Sequence, residues 1–237
     1  MIKAAKNTAF ESVFYIYIKR LLAKHFHKIH LKGKSNFNNA HNLPAIFYSN
    51  HSNWWDGFIA LYLARHVWGF DSYLLMDLDQ MRKYKFFRRL GVFSVDRSSA
   101  SSAMESVNYA AELLKYSKRV LWIFPQGKML PADTKLEFES GILKIAEKSG
   151  GVTLVPMALK YEFIAEQRPE IFINIGTPHV LDLSSPKNSQ IQLLTSNVSN
   201  LYTDIGVSIT NSTLSEFETV FTGKSSRNKS VDKFTGR

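Results

Sequence analysis

A histidine and an aspartate lie five positions apart in residues 48–57, directly after an apolar run. His51 suits general-base chemistry at neutral pH, because an unperturbed imidazole has a pKa of about 6.5. Asp56 could accept a hydrogen bond from the other ring nitrogen, which would fix the tautomer and stabilise the imidazolium that forms. Taken alone the pair decides nothing, since such spacings occur by chance and a loop histidine beside a helix-capping aspartate is the commoner arrangement.

Three further short motifs stand next to predicted strands. Residues 91–97 read Gly-Val-Phe-Ser-Val-Asp-Arg, residues 124–127 read Phe-Pro-Gln-Gly and residues 155–157 read Val-Pro-Met. Open α/β sheets bind ligands outside the carboxyl ends of their strands, so chemistry is expected just after each strand. Arg97 ends the first of these motifs and presents a planar fork that suits a phosphate group; an ion pair with a carboxylate is the alternative.

The four motifs, taken in order, resemble the glycerolipid acyltransferase family of the lysophosphatidic acid acyltransferase type. That family carries Asn-His-x4-Asp, Gly-x5-Arg, Phe-Pro-Glu-Gly and a Val-Pro strand, and the resemblance covers residues 40–180. It implies an O-acyltransferase of phospholipid biosynthesis that moves a fatty acyl chain from acyl-CoA or acyl carrier protein to a lipid hydroxyl. His51 would be the general base and Asp56 would orient it. No metal is implied, and no cofactor besides the acyl donor.

The resemblance also implies a set of substrate-binding residues around this pair. They are Asn50, Arg97, Phe124, Pro125, Gln126, Gly127 and Lys128. Backbone N–H groups at the helix start after His51 are candidates for stabilising the oxyanion of the tetrahedral intermediate.

The third motif departs from the family pattern. Gln126 stands where the family has Glu, and Met129 where it has Arg, although Lys128 supplies a positive charge next to it. A neutral amide can bond a hydroxyl but balances no cation. We therefore expect a weaker preference for glycerol phosphate acceptors than is usual in the family, and lysophospholipid-like and glycolipid acceptors both stay open.

Strand and helix patterns alternate along the central part of the chain. Apolar runs typical of strands cover residues 44–48, 72–76, 92–95, 120–124, 153–159 and 171–175. Helical periodicity covers residues 56–69, 79–90, 100–117, 137–148 and 191–205. This alternation predicts an α/β fold, with a largely parallel central sheet flanked by helices.

Positive charge is concentrated at the two ends of the chain. Residues 1–34 carry a net charge of +7 and residues 222–237 carry +4, whereas the remainder sums to −1. Apolar side chains recur at helical spacing over residues 10–22, which predicts an N-terminal amphipathic helix. The pattern is typical of a helix packed on a protein core and equally of one lying on a bilayer; the local charge favours an anionic membrane surface.

We therefore predict three segments. Residues 1–34 form a basic amphipathic membrane-associating segment, residues 35–221 an acyltransferase domain and residues 222–237 a basic disordered tail. The chain has no cysteine and no apolar stretch long enough to span a bilayer. These features predict a cytoplasmic protein held peripherally on the cytoplasmic face of a membrane.

Other functions stay open. The altered third motif is compatible with a lipid-binding or catalytically silent family member, and the pI of about 9.6 with a basic nucleic-acid-binding protein. The nearly neutral central part and the lack of a nucleic-acid motif argue against the latter, so no nucleic-acid partner is expected. A metal hydrolase would need further ligands at usable spacing. The basic, aromatic-rich residues 82–89 are either a docking face for acyl carrier protein, the phosphates of coenzyme A or lipid headgroups, or a solvated helix face.

Overall fold

Eight strands form one sheet in the computed structural model, which describes residues 1–37, 43–116, 118–164, 166–182 and 184–224. The strands are β1 (Lys28–Lys32), β2 (Ala45–Ser49), β3 (Asp71–Asp77), β4 (Val92–Val95), β5 (Arg119–Ile123), β6 (Thr153–Glu162), β7 (Glu170–Ile175) and β8 (Glu218–Thr222). The α-helices are α1 (Thr8–His25), α2 (Asp56–Leu63), α3 (Leu78–Lys83), α4 (Ala100–Leu114), α5 (Gly141–Ser149) and α6 (Lys187–Thr210).

The sheet is largely parallel. Its strand order is β4-β3-β5-β2-β6-β7-β1-β8, and the five strands from β4 to β6 run in one direction. β7 is antiparallel to β6 and parallel to β1, and β8 is antiparallel to β1. The predicted α/β fold with a largely parallel sheet is confirmed. The carboxyl ends of β2, β3, β4 and β5 therefore meet at one edge of the sheet, where the predicted motifs lie.

The central strands are buried on both faces, because helices cover both sides of the sheet. On one face Phe47 of β2 stacks on Trp122 of β5, with 4.5 Å between ring centroids, in a core that includes residues of α1 and α2. On the other face Ile46 and Leu121 join a second core with residues of α4, α5 and α6. The loops at the carboxyl ends of the strands are thus attached to a closely packed core.

The structure adds two strands, β1 and β8, that the apolar pattern does not predict. β1 reads Lys-Ile-His-Leu-Lys, so its two apolar residues stand between basic ones. Ile29 and Leu31 are nevertheless buried, and β1 pairs with β7 on one side and β8 on the other. Because β1 lies inside the sheet, the predicted division after residue 34 does not correspond to a break in packing.

The predicted N-terminal helix is present as α1 and has two apolar sides. Tyr15, Ile18 and Leu22 are buried in the core, whereas Val13 and Tyr17 are exposed. The helix therefore packs on the protein and also presents apolar side chains to its surroundings. None of the described helices is long and apolar enough to cross a membrane. In the predicted tail, residues 225–237 lie outside the described residues.

Two predicted helices differ from the observed ones. The pattern over residues 79–90 corresponds to α3 followed by a 3₁₀ helix, Lys85–Leu90, and that over residues 56–69 to α2 followed by a π-helical segment, Ala64–Trp68. The apolar spacing continues through both breaks, so it does not distinguish one helical hydrogen-bond pattern from another.

Candidate active site

His51 and Asp56 meet in the loop between β2 and α2. β2 ends at Ser49 and α2 begins at Asp56, and the turn between them brings His51 Nδ1 within 2.8 Å of Asp56 Oδ2. The imidazole is partly exposed, with 21% of the side chain accessible. None of the described residues bonds its Nε2, which leaves that nitrogen for a substrate.

Asp56 is fully buried and hydrogen-bonded at both carboxylate oxygens. Besides His51, the Oδ2 atom accepts from the backbone N–H groups of Ser52 and Asn53, each at 2.9 Å. The Oδ1 atom accepts from the Tyr161 hydroxyl at 2.5 Å. Burying a charge without such partners would be strongly unfavourable. Because Asp56 uses the N–H groups of Ser52 and Asn53, these two loop groups do not serve an oxyanion, whereas the expected oxyanion role of the N–H groups at the helix start stays a prediction.

Sequence reasoning missed Tyr161. It lies on β6, and only the pairing of β2 with β6 brings it to the loop that carries Asp56. Burial and the charge of Asp56 raise the pKa of Tyr161 well above its usual value, so the hydroxyl stays a donor. No local pattern marks it; the fourth motif ends several residues earlier on the same strand.

Asn50 holds the start of the loop on β6. Its side-chain amide donates to the Leu159 carbonyl oxygen and accepts from the Leu159 N–H, both at 2.9 Å. These bonds continue the β2–β6 ladder beyond Ser49, where β2 ends. The structure corrects the expected substrate contact of Asn50, because the side chain is only 3% exposed and both of its amide groups are paired.

The third motif positions His51 from the opposite side. Gln126 is buried, and its Oε1 accepts the His51 backbone N–H at 2.6 Å. The Phe124 ring stacks on the imidazole, with 4.4 Å between centroids and 18° between planes. The Leu130 N–H donates to the His51 carbonyl oxygen at 3.0 Å. His51 is thus held through its backbone, its ring face and its Nδ1 atom, as a functional side chain requires.

Arg97 packs against the turn at Gly127. Gly127 has a φ of +70°, and a Cβ atom there would overlap the Arg97 guanidinium. Arg97 also bonds Glu139 at 3.3 Å, in an ion pair that is partly exposed on both sides and therefore weak. Pro125 is buried, and its carbonyl oxygen accepts the Glu139 N–H at 2.9 Å. The Arg97 guanidinium therefore lies against the third motif, and Pro125 supports the turn of that motif.

A cavity of about 370 Å³ opens beside His51. Much of its wall is apolar and comes from α2, β3, β4 and the 3₁₀ helix; the side chains include Phe58, Leu61, Leu74, Met76, Phe87 and Val92. Arg97, Gly127 and Lys128 also line it, and the Lys128 side chain is exposed. An apolar pocket with a few charged groups beside a candidate base is typical of a site for an amphipathic ligand.

An exposed apolar patch adjoins this cavity; we define it as Val13, Tyr17, Trp54, Tyr84 and Phe86. Its parts are joined by ring contacts of Phe14 with Tyr17 and Phe86, at 5.5 and 5.7 Å between centroids. Trp54 and Tyr84 line both the patch and the cavity. The neighbouring helices carry exposed basic residues, namely Lys19, Arg20, Lys24, Arg82, Lys83, Lys85, Arg88 and Arg89.

The arrangement can perform acid–base chemistry on a bound hydroxyl. A neutral imidazole that donates from Nδ1 to a carboxylate is a proton acceptor at Nε2. In the part of the chain that the structure describes, no group of three or more His, Cys, Asp or Glu side chains is placed to hold a metal ion.

The sequence matches a family described as Acyltransferase over residues 28–160. Two relatives are both named 1-acyl-sn-glycerol-3-phosphate acyltransferase. The Saccharomyces cerevisiae protein is 32% identical over 76 residues, which is 31% of this chain and 25% of that protein. The Streptococcus pneumoniae protein is 23% identical over 189 residues, which is 75% of this chain and 66% of that protein. The matches therefore span less than two thirds of either relative.

A solved structure shares the fold. It is the 1-acyl-sn-glycerophosphate (LPA) acyltransferase from Thermotoga maritima, with a TM-score of 0.59 and 19% identity over 80% of this chain and 77% of that one. At this level of identity the likeness is one of architecture, and it agrees with the largely parallel sheet and flanking helices.

Proposed function

This chain belongs to the acyltransferase family, and from that premise we propose that it transfers a fatty acyl chain from a thioester donor to a hydroxyl group of a lipid acceptor. The predicted family is confirmed. The observation that carries the proposed activity is the His51–Asp56 pair, which opens onto an apolar cavity also lined by Arg97 and Lys128. Acyl-CoA or acyl carrier protein would be the donor, without a further cofactor.

In the proposed mechanism, His51 is the general base. Its Nε2 takes the proton of the acceptor hydroxyl while the oxygen attacks the thioester carbonyl carbon. Asp56 keeps the Nδ1–H tautomer in place and stabilises the imidazolium. When the tetrahedral intermediate collapses, the C–O bond stays, the C–S bond breaks and the proton passes from His51 to the sulfur. An ester and a free thiol leave, and His51 is neutral again.

The apolar cavity would hold the acyl chain. Its walls come from α2, β3 and β4, so they are part of the core rather than of a loose loop. Burial of an acyl chain there is favourable by about 0.8 kcal/mol for each CH₂ group removed from water. The reacting carbonyl would then lie at the mouth of the cavity, next to His51 Nε2, and the thiol portion of the donor would extend outward.

Arg97 and Lys128 would bind phosphate groups of the substrates. The guanidinium matches a phosphate through paired N–H groups, whereas the ammonium acts as a compact charge. Because the Arg97–Glu139 ion pair is partly exposed, exchanging the carboxylate for a substrate phosphate involves little loss. Both lysophospholipid-like and glycolipid acceptors remain compatible with this site, and so do both classes of donor.

The apolar patch and its basic neighbours would place the enzyme on an anionic membrane surface, at the cytoplasmic face. Trp54 and Tyr84 belong to both the patch and the cavity wall, so a lipid leaving the bilayer at the patch would enter the cavity directly. Aromatic side chains favour the bilayer interface, and each basic residue near anionic lipid adds about 1 kcal/mol of attraction. Residues 1–34 would contribute α1 to this surface while β1 anchors them in the sheet.

The test is an acyl-transfer assay with the full chain, labelled acyl-CoA or acyl carrier protein, and lysophosphatidate. We expect His51→Ala to reduce turnover by about 10²- to 10⁴-fold, the usual contribution of a positioned general base. The matched control is His66→Ala, which removes an exposed histidine that does not line the cavity. Equal turnover in the wild type and His51→Ala would refute the mechanism.

A further inference from the structure

The hydroxyl of Tyr161 bonds the carboxylate oxygen of Asp56 that His51 does not use. We propose that Tyr161 is a positioning residue for the acyl-transfer reaction, which fixes the plane of the Asp56 carboxylate so that His51 is kept as its Nδ1–H tautomer. The inference rests on the proposed function for its catalytic consequence, although the effect on His51 can be measured without turnover.

The hydrogen bonds of Asp56 are divided unequally between its two oxygens. Three donors converge on Oδ2, and among the described residues Tyr161 is the one donor to Oδ1. The Cβ–Cγ torsion of aspartate is broad and soft, so bonds at Oδ2 alone hold the plane of the carboxylate less firmly than bonds at both oxygens. A short bond from a fixed position at Oδ1 adds a restraint on this rotation from the opposite side of the carboxylate.

Tyr161 has the rigidity that this role requires. It lies on β6, where it is paired with Ile171 of β7, and its ring packs near Phe26, at 5.9 Å between centroids. Two residues before it, Leu159 bonds the side chain of Asn50 with both backbone groups. The end of β6 therefore holds the His51 loop at its start and at its last residue, Asp56.

The donor is present at every pH at which the enzyme would work. Burial raises the pKa of Tyr161 well above 10, and the neighbouring charge of Asp56 acts in the same direction. The hydroxyl therefore stays protonated and does not compete with His51 for the substrate proton. Its contribution is geometric, through the orientation of Asp56.

Tyr161→Phe tests the inference, because it keeps the ring and removes only the hydroxyl. The matched control is Tyr62→Phe, which removes a hydroxyl that donates to the Val220 carbonyl oxygen at 3.2 Å, outside the His51 loop. We expect Tyr161→Phe to lower kcat by about 10-fold with the KM of both substrates unchanged, since a misplaced base reduces the rate more than binding. Tyr62→Phe should leave kcat unchanged.

The second readout is the tautomer of His51, followed by ¹⁵N NMR of the histidine-labelled full chain and assigned with His51→Ala. We expect a smaller Nδ1–H fraction in Tyr161→Phe than in the wild type or Tyr62→Phe. An unchanged tautomer together with an unchanged kcat would overturn the inference. If the tautomer changes but the wild type transfers no acyl group to any acceptor, the proposed function fails while the positioning of His51 stands. A lower kcat with an unchanged tautomer would assign Tyr161 a merely structural role.

Discussion

The Oε1 atom of Gln126 accepts a hydrogen bond from the backbone N–H of His51 at 2.6 Å, and Gln126 itself is only 5% exposed. The amide oxygen is therefore used to hold His51, whereas the sequence suggested that it would contact the acceptor. The third motif acts through the position of His51, and the positively charged side chains that line the neighbouring cavity are Arg97 and Lys128.

Gln126→Ala should lower kcat, because it removes the acceptor that the Gln126 Oε1 atom offers to the backbone N–H of His51 at 2.6 Å. Gln126→Glu is the matched control, since a carboxylate keeps an oxygen acceptor at the same position. We expect turnover assays to give a lower kcat for Gln126→Ala than for Gln126→Glu. A wild-type kcat in folded Gln126→Ala would contradict this account.

The local motifs predicted His51 and Asp56 better than the residues that hold them in place. The His51–Asp56 contact follows from a short turn, so its spacing is visible in the sequence. Tyr161 and Leu159 reach the same loop through the pairing of β2 with β6, which no local spacing encodes. For the same reason the role of Asn50 was misjudged, since its partner is a backbone group more than a hundred residues away.

The strands likewise divide into those that the local sequence predicts and those that depend on distant partners. Central strands such as β2 are buried on both faces and read as continuous apolar runs, which is why the largely parallel sheet is predictable. β1 is short and ends in lysines at both sides, so its contribution to the sheet depends on β7 and β8 being present. The positive charge of residues 1–34 predicted a membrane-associating segment, whereas the pairing of β1 with β7 and β8 makes part of that segment a strand of the sheet.

Asp56→Asn should preserve the fold and remove most of the activity. Four donors converge on the carboxylate, and an amide offers one oxygen together with donors of its own. The backbone N–H groups of Ser52 and Asn53 keep the amide oxygen at the Oδ2 position, so His51 still donates from Nδ1 but loses the negative charge that stabilises the imidazolium. We expect kcat to fall by about 10²- to 10⁴-fold in a folded variant, checked by turnover and circular dichroism. Normal turnover in the folded protein would mean that Asp56 serves only as the first residue of α2 and does not act on His51.

Gly127→Ala should reduce both stability and the use of phosphate-bearing substrates. The left-handed backbone at Gly127 is unfavourable by about 1–2 kcal/mol for other residues, and the added Cβ displaces Arg97. Urea denaturation measures the first effect, and the KM for lysophosphatidate the second. The matched control is Gly206→Ala in α6, where a Cβ meets nothing within 4 Å and alanine favours the helix. Equal stability of the two variants would contradict the argument.

Membrane binding should depend on the exposed side of α1. Val13 and Tyr17 are 69% and 52% exposed, so glutamates there leave the core unchanged while placing charge in the apolar patch. We expect the double variant to lose flotation with vesicles that contain anionic lipid, because burial of charge in the interface is unfavourable. Val180→Glu with Val207→Glu adds the same charge at two exposed positions outside the patch, and should float as the wild type does. Equal flotation of both double variants would exclude the patch as the membrane contact.

Acceptor choice should depend on the two positive charges that line the cavity. Met129, which is 52% exposed, stands where the family resemblance places an arginine, and it carries no charge. The positive charges that line the cavity are therefore those of Arg97 and Lys128. We expect a preference for lysophosphatidate over glycolipids of less than about a hundredfold, which corresponds to about 2.7 kcal/mol in transition-state binding. A competition assay with both acceptors and one labelled donor measures this ratio.

The same assay separates the charges that bind phosphate from positive charge in general. Arg97→Ala and Lys128→Ala should each lower the ratio of lysophosphatidate to glycolipid product, because the phosphate loses a charge-assisted hydrogen bond that the sugar never makes. Lys144→Ala removes an exposed lysine of α5 that does not line the cavity, so the ratio should stay at the wild-type value. A wild-type preference above a hundredfold, or a ratio unaffected by Arg97→Ala, would show that other groups select the acceptor.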